Sequence, residues 1–141
     1  METLFITGAT GFLGYHIVEQ ALNSGYRVVA TVRESSKVGH LADRPVQFIS
    51  ASLFDSDVLR NTLKEHNVSF IIHNAGLTKA KNHDSFYSVN AHSTRILAEA
   101  ALSSGQDIKK FVFMSSMAAR GPAEHPDEIL RIDSPERPVT H

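Results

Sequence analysis

The chain has 141 residues, the length of one domain with a sizeable core, and its 42% hydrophobic and 21% charged residues exclude disorder along the whole chain. Its 14 basic and 15 acidic residues leave a net charge of −1, so we expect neither a nucleic-acid partner nor a membrane-surface partner. The absence of cysteine excludes disulfides and thiolate zinc sites, and the spacing of the 8 histidines indicates no metal site.

Short β-branched or aromatic runs alternate with longer helical patterns along the chain. We predict strands at residues 3–7, 27–32, 46–50, 69–73 and 110–114, and helices at residues 12–24, 55–66 and 84–104. The inward apolar stripes include Leu13, Ile17, Val18, Ala21 and Leu22 on the first helix and Val58, Leu59 and Leu63 on the second, which Asp55 or Ser56 caps. This alternation predicts an α/β fold, a doubly wound parallel sheet covered on both faces.

The composition changes only near the end of the chain. Residues 120–141 contain four of the 5 prolines and no convincing strand or helix. Because a compact domain rarely ends in so long a loop, we expect the chain to stop before its fold or its site is complete.

A glycine-rich turn connects the first predicted strand to the first predicted helix. Its sequence is Gly8-Ala9-Thr10-Gly11-Phe12-Leu13-Gly14. Glycines let the backbone approach a ligand closely, the start of the helix presents free N–H groups, and Gly14 permits close packing of helix on strand. The turn therefore predicts a binding site for the pyrophosphate of a dinucleotide, with an ordinary glycine turn as the alternative.

Arg33 ends the second predicted strand, 19 residues after Gly14. An acidic residue at this position accepts a hydrogen bond from the ribose of NAD, whereas an arginine can pair with the 2′-phosphate of NADP. Ser35, Ser36 and Lys37 follow and can also donate to phosphate. The pattern favours NADP over NAD, and a solvated arginine is the alternative.

The spacing Gly-x-x-Gly-x-x-Gly resembles the extended short-chain dehydrogenase/reductases, the NAD-dependent epimerase/dehydratase family. Further segments resemble motifs of that family in the same order: residues 70–76, residues 89–94, and residues 111–116 followed by Gly121. Residues 26–33 also look like the dihydroflavonol-reductase branch, whose arginine reads NADP. The resemblance covers essentially the whole chain and implies that residues 1–141 are an NAD(P)-binding Rossmann domain, truncated before the substrate-binding region.

The resemblance implies roles for individual residues. Ser116 takes the place of the catalytic serine that orients the substrate oxygen, with a serine that satisfies local backbone as the alternative. Asn90 is implied to brace the site by bridging to the backbone of the strand-four segment, with a merely tolerated polar residue as the alternative. Ser115 is expected to satisfy local backbone, and His73 is interpreted as a structural residue. The further expected cofactor contacts are Asn74, Ala75, Gly76, Ser115 and Lys79, of which Lys79 has a solvated loop lysine as its alternative.

Two departures from the family pattern stand out. Ser52-Leu53 occupies the place where the family often has an acidic residue, so the hydroxyl of Ser52 is a weaker acceptor for the adenine amino group. No tyrosine in the chain has the lysine four residues on that the family's Tyr-x-x-x-Lys requires. We therefore expect the parent polypeptide to continue past His141 with that motif. Residues 134–141 are expected to form an extended segment that leads to the helix carrying it. Without the motif, the present chain is expected to be inactive.

The favoured function is cofactor binding for an oxidoreductase or epimerase that acts on a carbonyl or secondary alcohol. A nucleotide-sugar epimerase or dehydratase and an NADP-linked ketone reductase both fit, with a nucleotide sugar or a related alcohol or ketone as substrate. A non-catalytic NADP-sensing regulatory module is the alternative, and the serine at 116 argues against it. The start of the chain lacks signal-peptide features, so we expect a cytoplasmic protein. For the longer parent we separately expect a homodimer.

Overall fold

A computed structural model describes residues 1–139 of the chain. Five strands form one parallel sheet in the order β3-β2-β1-β4-β5. From β1 the chain adds strands outward on one side and then returns to add two more on the other, which makes this the doubly wound Rossmann arrangement that the sequence predicts. The strands are β1 (Thr3–Thr7), β2 (Arg27–Val32), β3 (Val46–Ser50), β4 (Val68–His73) and β5 (Lys110–Phe113).

Helices cover both faces of the sheet because successive side chains of a strand point to opposite faces. On one face α1 (Phe12–Asn23) packs over Leu4 and Ile6, with Leu41 beside them. On the other face α2 (Ser56–Glu65) and α4 (Ser93–Ser103) pack over Phe5. A short helix, α3 (His83–Tyr87), precedes α4, and 3₁₀ turns occupy Gly39–Leu41 and Met117–Ala119.

The backbone is helical throughout residues 83–103, close to the predicted 84–104, but a π-helical turn at Ser88–His92, which the sequence did not predict, lies between α3 and α4. The hydroxyl of Ser93 donates to the carbonyl of Val89 at 2.6 Å, and the hydroxyl of Thr94 donates to the carbonyl of Asn90 at 2.8 Å. Such hydroxyls compete with backbone N–H groups for helix carbonyls and favour local distortion. Turns of this kind occur frequently at functional sites.

Two residues placed on inward apolar stripes are exposed. Leu13 is 46% exposed and Val58 is 38% exposed. Each lies in the first turn of its helix, directly after the loop that leaves a strand, where the sheet offers little surface to pack against. The cap of α2 is Asp55, whose Oδ1 accepts from the N–H of Val58 at 3.0 Å.

The segment after β5 is a loop that closes on itself. The Arg120 guanidinium donates to the carbonyls of Ile132 and Ser134, and the N–H of Arg137 donates to the carbonyl of Arg120 at 3.1 Å. The predicted lead-in at residues 134–141 is free of helix and strand up to residue 139, and its last two residues lie outside the described part.

No helix in the described part of the chain has the length and apolar character needed to cross a membrane. An apolar groove of about 420 Å³ lies beside α1, over the face of β4 and β5, and contains none of the predicted site residues. Its lining includes Leu4, Ile17, Phe70, Ile72 and Val112.

Candidate functional site

The predicted site residues meet at one edge of the sheet, because each group follows a parallel strand at its carboxyl end. The chain adds β2 and β3 on one side of β1 and then β4 and β5 on the other, so the strand order reverses between β1 and β4. In open α/β sheets ligands bind in the crevice at such a point. The glycine turn follows β1, Arg33 and Lys37 follow β2, Ser52 and Leu53 follow β3, residues 74–79 follow β4, and Ser115 and Ser116 follow β5.

Two of the three motif glycines are required by the turn's own packing. Gly8 has φ +71°, and a Cβ on it would lie 2.7 Å from the backbone nitrogen of Ala75. A Cβ on Gly14 would lie 2.8 Å from the Cα of Ala9 and would overlap the carbonyl oxygen of Gly8. No side chain fits at either position: Gly14 lets α1 lie close against the end of β1, and Gly8 lets the loop after β4 lie close against the turn.

Gly11 is different, because the interior of the protein does not require a glycine there. Its backbone is extended, with φ −80° and ψ 169°, and a Cβ would meet only the carbonyl oxygen of Gly8, at 3.5 Å. Gly11 caps α1 without a side-chain hydrogen bond, and the first turn contains no acidic residue. The space beside Gly11 and the free N–H groups at the start of α1 therefore suit the pyrophosphate of a dinucleotide.

The side chains around this opening differ in exposure. The Phe12 side chain is 87% exposed, and the backbone N–H groups of Phe12 and Leu13 lie in the first turn of α1, where they have no partner within the helix. Thr10 is half-buried in the turn.

The loop after β4 is held at both ends. At its start the Asn74 side chain donates to the carbonyl of Gly8 at 3.2 Å. At its end the Asn90 side chain accepts from the N–H of Leu77 at 2.7 Å and donates to the carbonyl of Leu77 at 3.0 Å. A Cβ on Gly76 would lie 3.2 Å from Oδ1 of Asn90. The Asn90 side chain therefore bonds the backbone of Leu77, which lies in the loop four residues beyond the end of β4 and not in the strand-four segment that was predicted.

His73 is a hydrogen-bonded structural residue as predicted, but sequence reasoning missed its partners beneath this loop. Nδ1 of His73 lies 2.7 Å from the hydroxyl of Thr7, and Nε2 lies 2.9 Å from the hydroxyl of Thr94. The Thr7 hydroxyl also accepts from the N–H of Ala75 at 3.0 Å. The available signal was a histidine that ends a mostly apolar strand, with a threonine paired to it on the neighbouring strand.

Arg33 and Lys37 are exposed at the end of β2, on either side of a tight turn. The N–H of Arg33 donates to the hydroxyl of Ser36 at 3.1 Å, and the N–H of Ser36 donates to the carbonyl of Arg33 at 2.8 Å. The Arg33 guanidinium forms no ion pair within residues 1–139. It is therefore available to a ligand anion.

After β3, the hydroxyl of Ser52 accepts from the N–H of Phe54 at 3.2 Å, and Leu53 packs against the core under α2 and α4. Ser52 keeps a second lone pair, so one acceptor remains for an adenine amino group. Lys79 is exposed.

The expectation that Ser115 satisfies local backbone is wrong, because Ser116 does so. Ser116 has an extended backbone, φ −136° and ψ 152°, and caps the 3₁₀ turn that follows, which places its Oγ 3.1 Å from the N–H of Ala118. The hydroxyl accepts this bond and keeps its own proton for donation.

No group of three or more histidine, aspartate or glutamate side chains is arranged to hold a metal ion within residues 1–139.

The chain matches the model of the NAD dependent epimerase/dehydratase family over residues 4–141. It is 37% identical over 118 residues to a ceramide reductase of Caulobacter vibrioides. The aligned region covers 84% of this chain and 36% of that protein. It is 29% identical over 133 residues to a UDP-glucose 4-epimerase of Neisseria gonorrhoeae, covering 86% of this chain and 39% of that one.

Among solved structures, the fold is similar to that of MoeE5 in complex with UDP-glucose and NAD, with a TM-score of 0.80 and 29% identity. The match covers 98% of this chain and 43% of that structure. The chain thus spans well under half the length of the proteins it matches.

Proposed function

The chain belongs to the NAD-dependent epimerase/dehydratase family, and from that premise we propose that residues 1–141 are the dinucleotide-binding part of an oxidoreductase or epimerase acting on a carbonyl or secondary alcohol. The observation that carries the proposal is Gly11, a glycine that the protein's own packing does not require, beside the uncapped start of α1. The similar ceramide reductase, UDP-glucose 4-epimerase and NAD-bound MoeE5 support it.

In this proposal the dinucleotide supplies hydride transfer at its nicotinamide ring. The N–H groups of Phe12 and Leu13 bind its pyrophosphate, and residues 74–76 border it beside the glycine turn. Ser116 would donate a hydrogen bond from its hydroxyl to the substrate oxygen and so orient it, while the N–H of Ala118 holds that hydroxyl in place. Asn90 keeps the loop after β4 in place through Leu77.

The substrate proposed is a ketone or alcohol of a reductase, or a nucleotide sugar of an epimerase or dehydratase. Arg33 supports the reductase, because its free guanidinium at the end of β2 suits the 2′-phosphate of NADP. We also propose a cytoplasmic location and, for a longer parent protein, a homodimer, as expected in the sequence analysis.

We expect the domain to bind NADP about ten- to a hundredfold more tightly than NAD, since a charge-assisted contact to phosphate contributes about 1.5–3 kcal/mol. Arg33→Ala should reduce this preference to near equality, measured by calorimetric titration of both dinucleotides. Arg60→Ala is the matched control, because this arginine pairs with Asp57 on the surface of α2 and should change neither affinity. Equal wild-type affinities, or an unchanged ratio in Arg33→Ala, would refute the NADP preference.

We further expect the 141-residue chain to catalyse no hydride transfer with ketones, alcohols or nucleotide sugars. The ordinary pKa of tyrosine is about 10, so a tyrosine needs a neighbouring lysine to act near neutral pH. None of Tyr15, Tyr26 and Tyr87 has a lysine four residues on. The absorbance of the reduced nicotinamide, followed with each substrate class, measures this directly, and turnover above the buffer rate would contradict it.

A further inference from the structure

A continuous chain of hydrogen bonds runs through the buried ring of His73, from β1 to α4. On one side the ring meets the hydroxyl of Thr7, and on the other it meets the hydroxyl of Thr94. His73 and Thr7 are both fully buried, so neither can exchange these partners for water. Each donor in this series of hydrogen bonds must therefore find its acceptor among these protein groups.

The contacts at the two ends determine the tautomer of the ring. Thr94 gives its hydroxyl proton to the carbonyl of Asn90, so it can only accept from Nε2–H of His73. Nδ1 then carries no proton and accepts from the hydroxyl of Thr7, which itself accepts from the N–H of Ala75. All the groups are satisfied only when His73 is neutral and carries its proton on Nε2.

We propose that His73 is a positioning residue for the dinucleotide site, and that its Nε2–H tautomer couples the Thr7–Ala75 contact, through Thr94 at the start of α4, to the π-helical turn that carries Asn90. The loop after β4 is thereby fixed at Ala75 through Thr7 and at Leu77 through Asn90. This inference rests on the proposed function for its effect on dinucleotide affinity, while the coupling itself is a property of the free protein.

Protonation of the ring breaks this arrangement. A proton on Nδ1 would face the Thr7 oxygen, whose own hydroxyl proton would then be buried without an acceptor, a costly state. Besides Thr7 on β1 and Thr94 on α4, the ring lies beside Phe111 and Phe113 on β5. Among residues 1–139 no charged group offsets the burial, which lowers the pKa of His73 below its ordinary 6.5. The stabilising contribution is complete above about pH 6.5 and decreases as the pH falls from there toward the folded-state pKa.

Nitrogen-15 NMR of the histidine rings in the wild-type 141-residue chain tests the tautomer directly. We expect one histidine with a protonated Nε2 and an unprotonated Nδ1, unchanged as the pH is lowered through 6.5, and its signal should be absent from His73→Phe. A ring with its proton on Nδ1, or one that titrates like an exposed histidine, would overturn the proposal.

Thr94→Val tests the coupling across the ring, with Thr62→Val as its matched control. Thr62 is a buried helical threonine of α2 outside this hydrogen-bond chain, so its replacement changes packing and stability alone. In Thr94→Val the ring loses its acceptor, and we expect the proton to move to Nδ1 and the Ala75 amide to exchange with solvent about tenfold faster. Dinucleotide affinity should fall about tenfold as well.

The measurements separate this inference from the function on which it rests. If wild-type protein binds neither NAD nor NADP, the proposed function fails, and the ring signals and the Ala75 exchange still decide whether His73 couples the two elements. If wild-type protein binds a dinucleotide but Thr94→Val alters Ala75 exchange and affinity no more than Thr62→Val does, His73 has only a structural role and the proposal is wrong.

Discussion

Gly11→Val is expected to weaken dinucleotide binding by more than a hundredfold while the domain stays folded. The extended backbone of Gly11 suits any residue, and a Cβ there would meet only the carbonyl oxygen of Gly8, at 3.5 Å. It would instead occupy the space beside the first N–H groups of α1. Loss of two charge-assisted hydrogen bonds to phosphate, each contributing about 1.5–3 kcal/mol, accounts for the size of the effect.

Calorimetric titration measures the affinity, and circular dichroism with thermal unfolding verifies the fold. Gly39→Val is the matched control, because a Cβ there has no neighbour within 4 Å and the position lies outside the glycine turn. It should bind like wild type. A folded Gly11→Val that retains wild-type affinity would show that the space beside Gly11 is not the pyrophosphate site.

Gly14→Ala is expected to have the largest effect on stability. The added methyl group would overlap the carbonyl oxygen of Gly8 and lie 2.8 Å from the Cα of Ala9, and both neighbours are backbone. Neither can move without displacing α1 from β1. We expect a loss of about 3 kcal/mol or more in the free energy of unfolding, which lowers the Tm by ~10 °C for a domain of this size.

Chemical denaturation of Gly14→Ala and of Gly39→Ala gives the comparison, because the second adds the same methyl group in open space. Gly39→Ala should unfold within about 0.5 kcal/mol of wild type, as surface substitutions usually do. A Gly14→Ala protein as stable as Gly39→Ala would mean that the turn relaxes easily and that close packing is not the reason for this glycine.

Local pattern was sufficient for the architecture. The five strands and the helices α1 and α2 follow from period-two and period-3.6 hydrophobic runs, and their bounds differ by a residue or two from the predictions. A parallel sheet then brings every strand's carboxyl end to one edge, so the sequence positions of Gly11, Arg33 and Ser116 already placed them together. The family resemblance added the roles, because spacing alone does not distinguish a cofactor turn from an ordinary one.

Errors arose where hydrogen bonds outweigh hydrophobic pattern. The apolar stripe continues through residues 84–104, yet a π-helical turn lies within it, where the hydroxyls of Ser93 and Thr94 bond backbone carbonyls of that turn. Ser115 and Ser116 are adjacent and chemically identical, and only the extended backbone at residue 116 determines which hydroxyl caps the following turn.

The sequence by itself determined the parallel sheet, the glycine turn and the chemical types at its edge, because these depend on periodicity and on residues close together in the chain. The tertiary structure decided which glycine faces open space and which are packed, since that depends on the distance from each Cα to atoms such as Ala75 N. It also decided the partners of His73, which lies 66 residues from Thr7 and 21 from Thr94. Hydrogen bonds over such separations follow from strand register and helix placement, which no local pattern encodes.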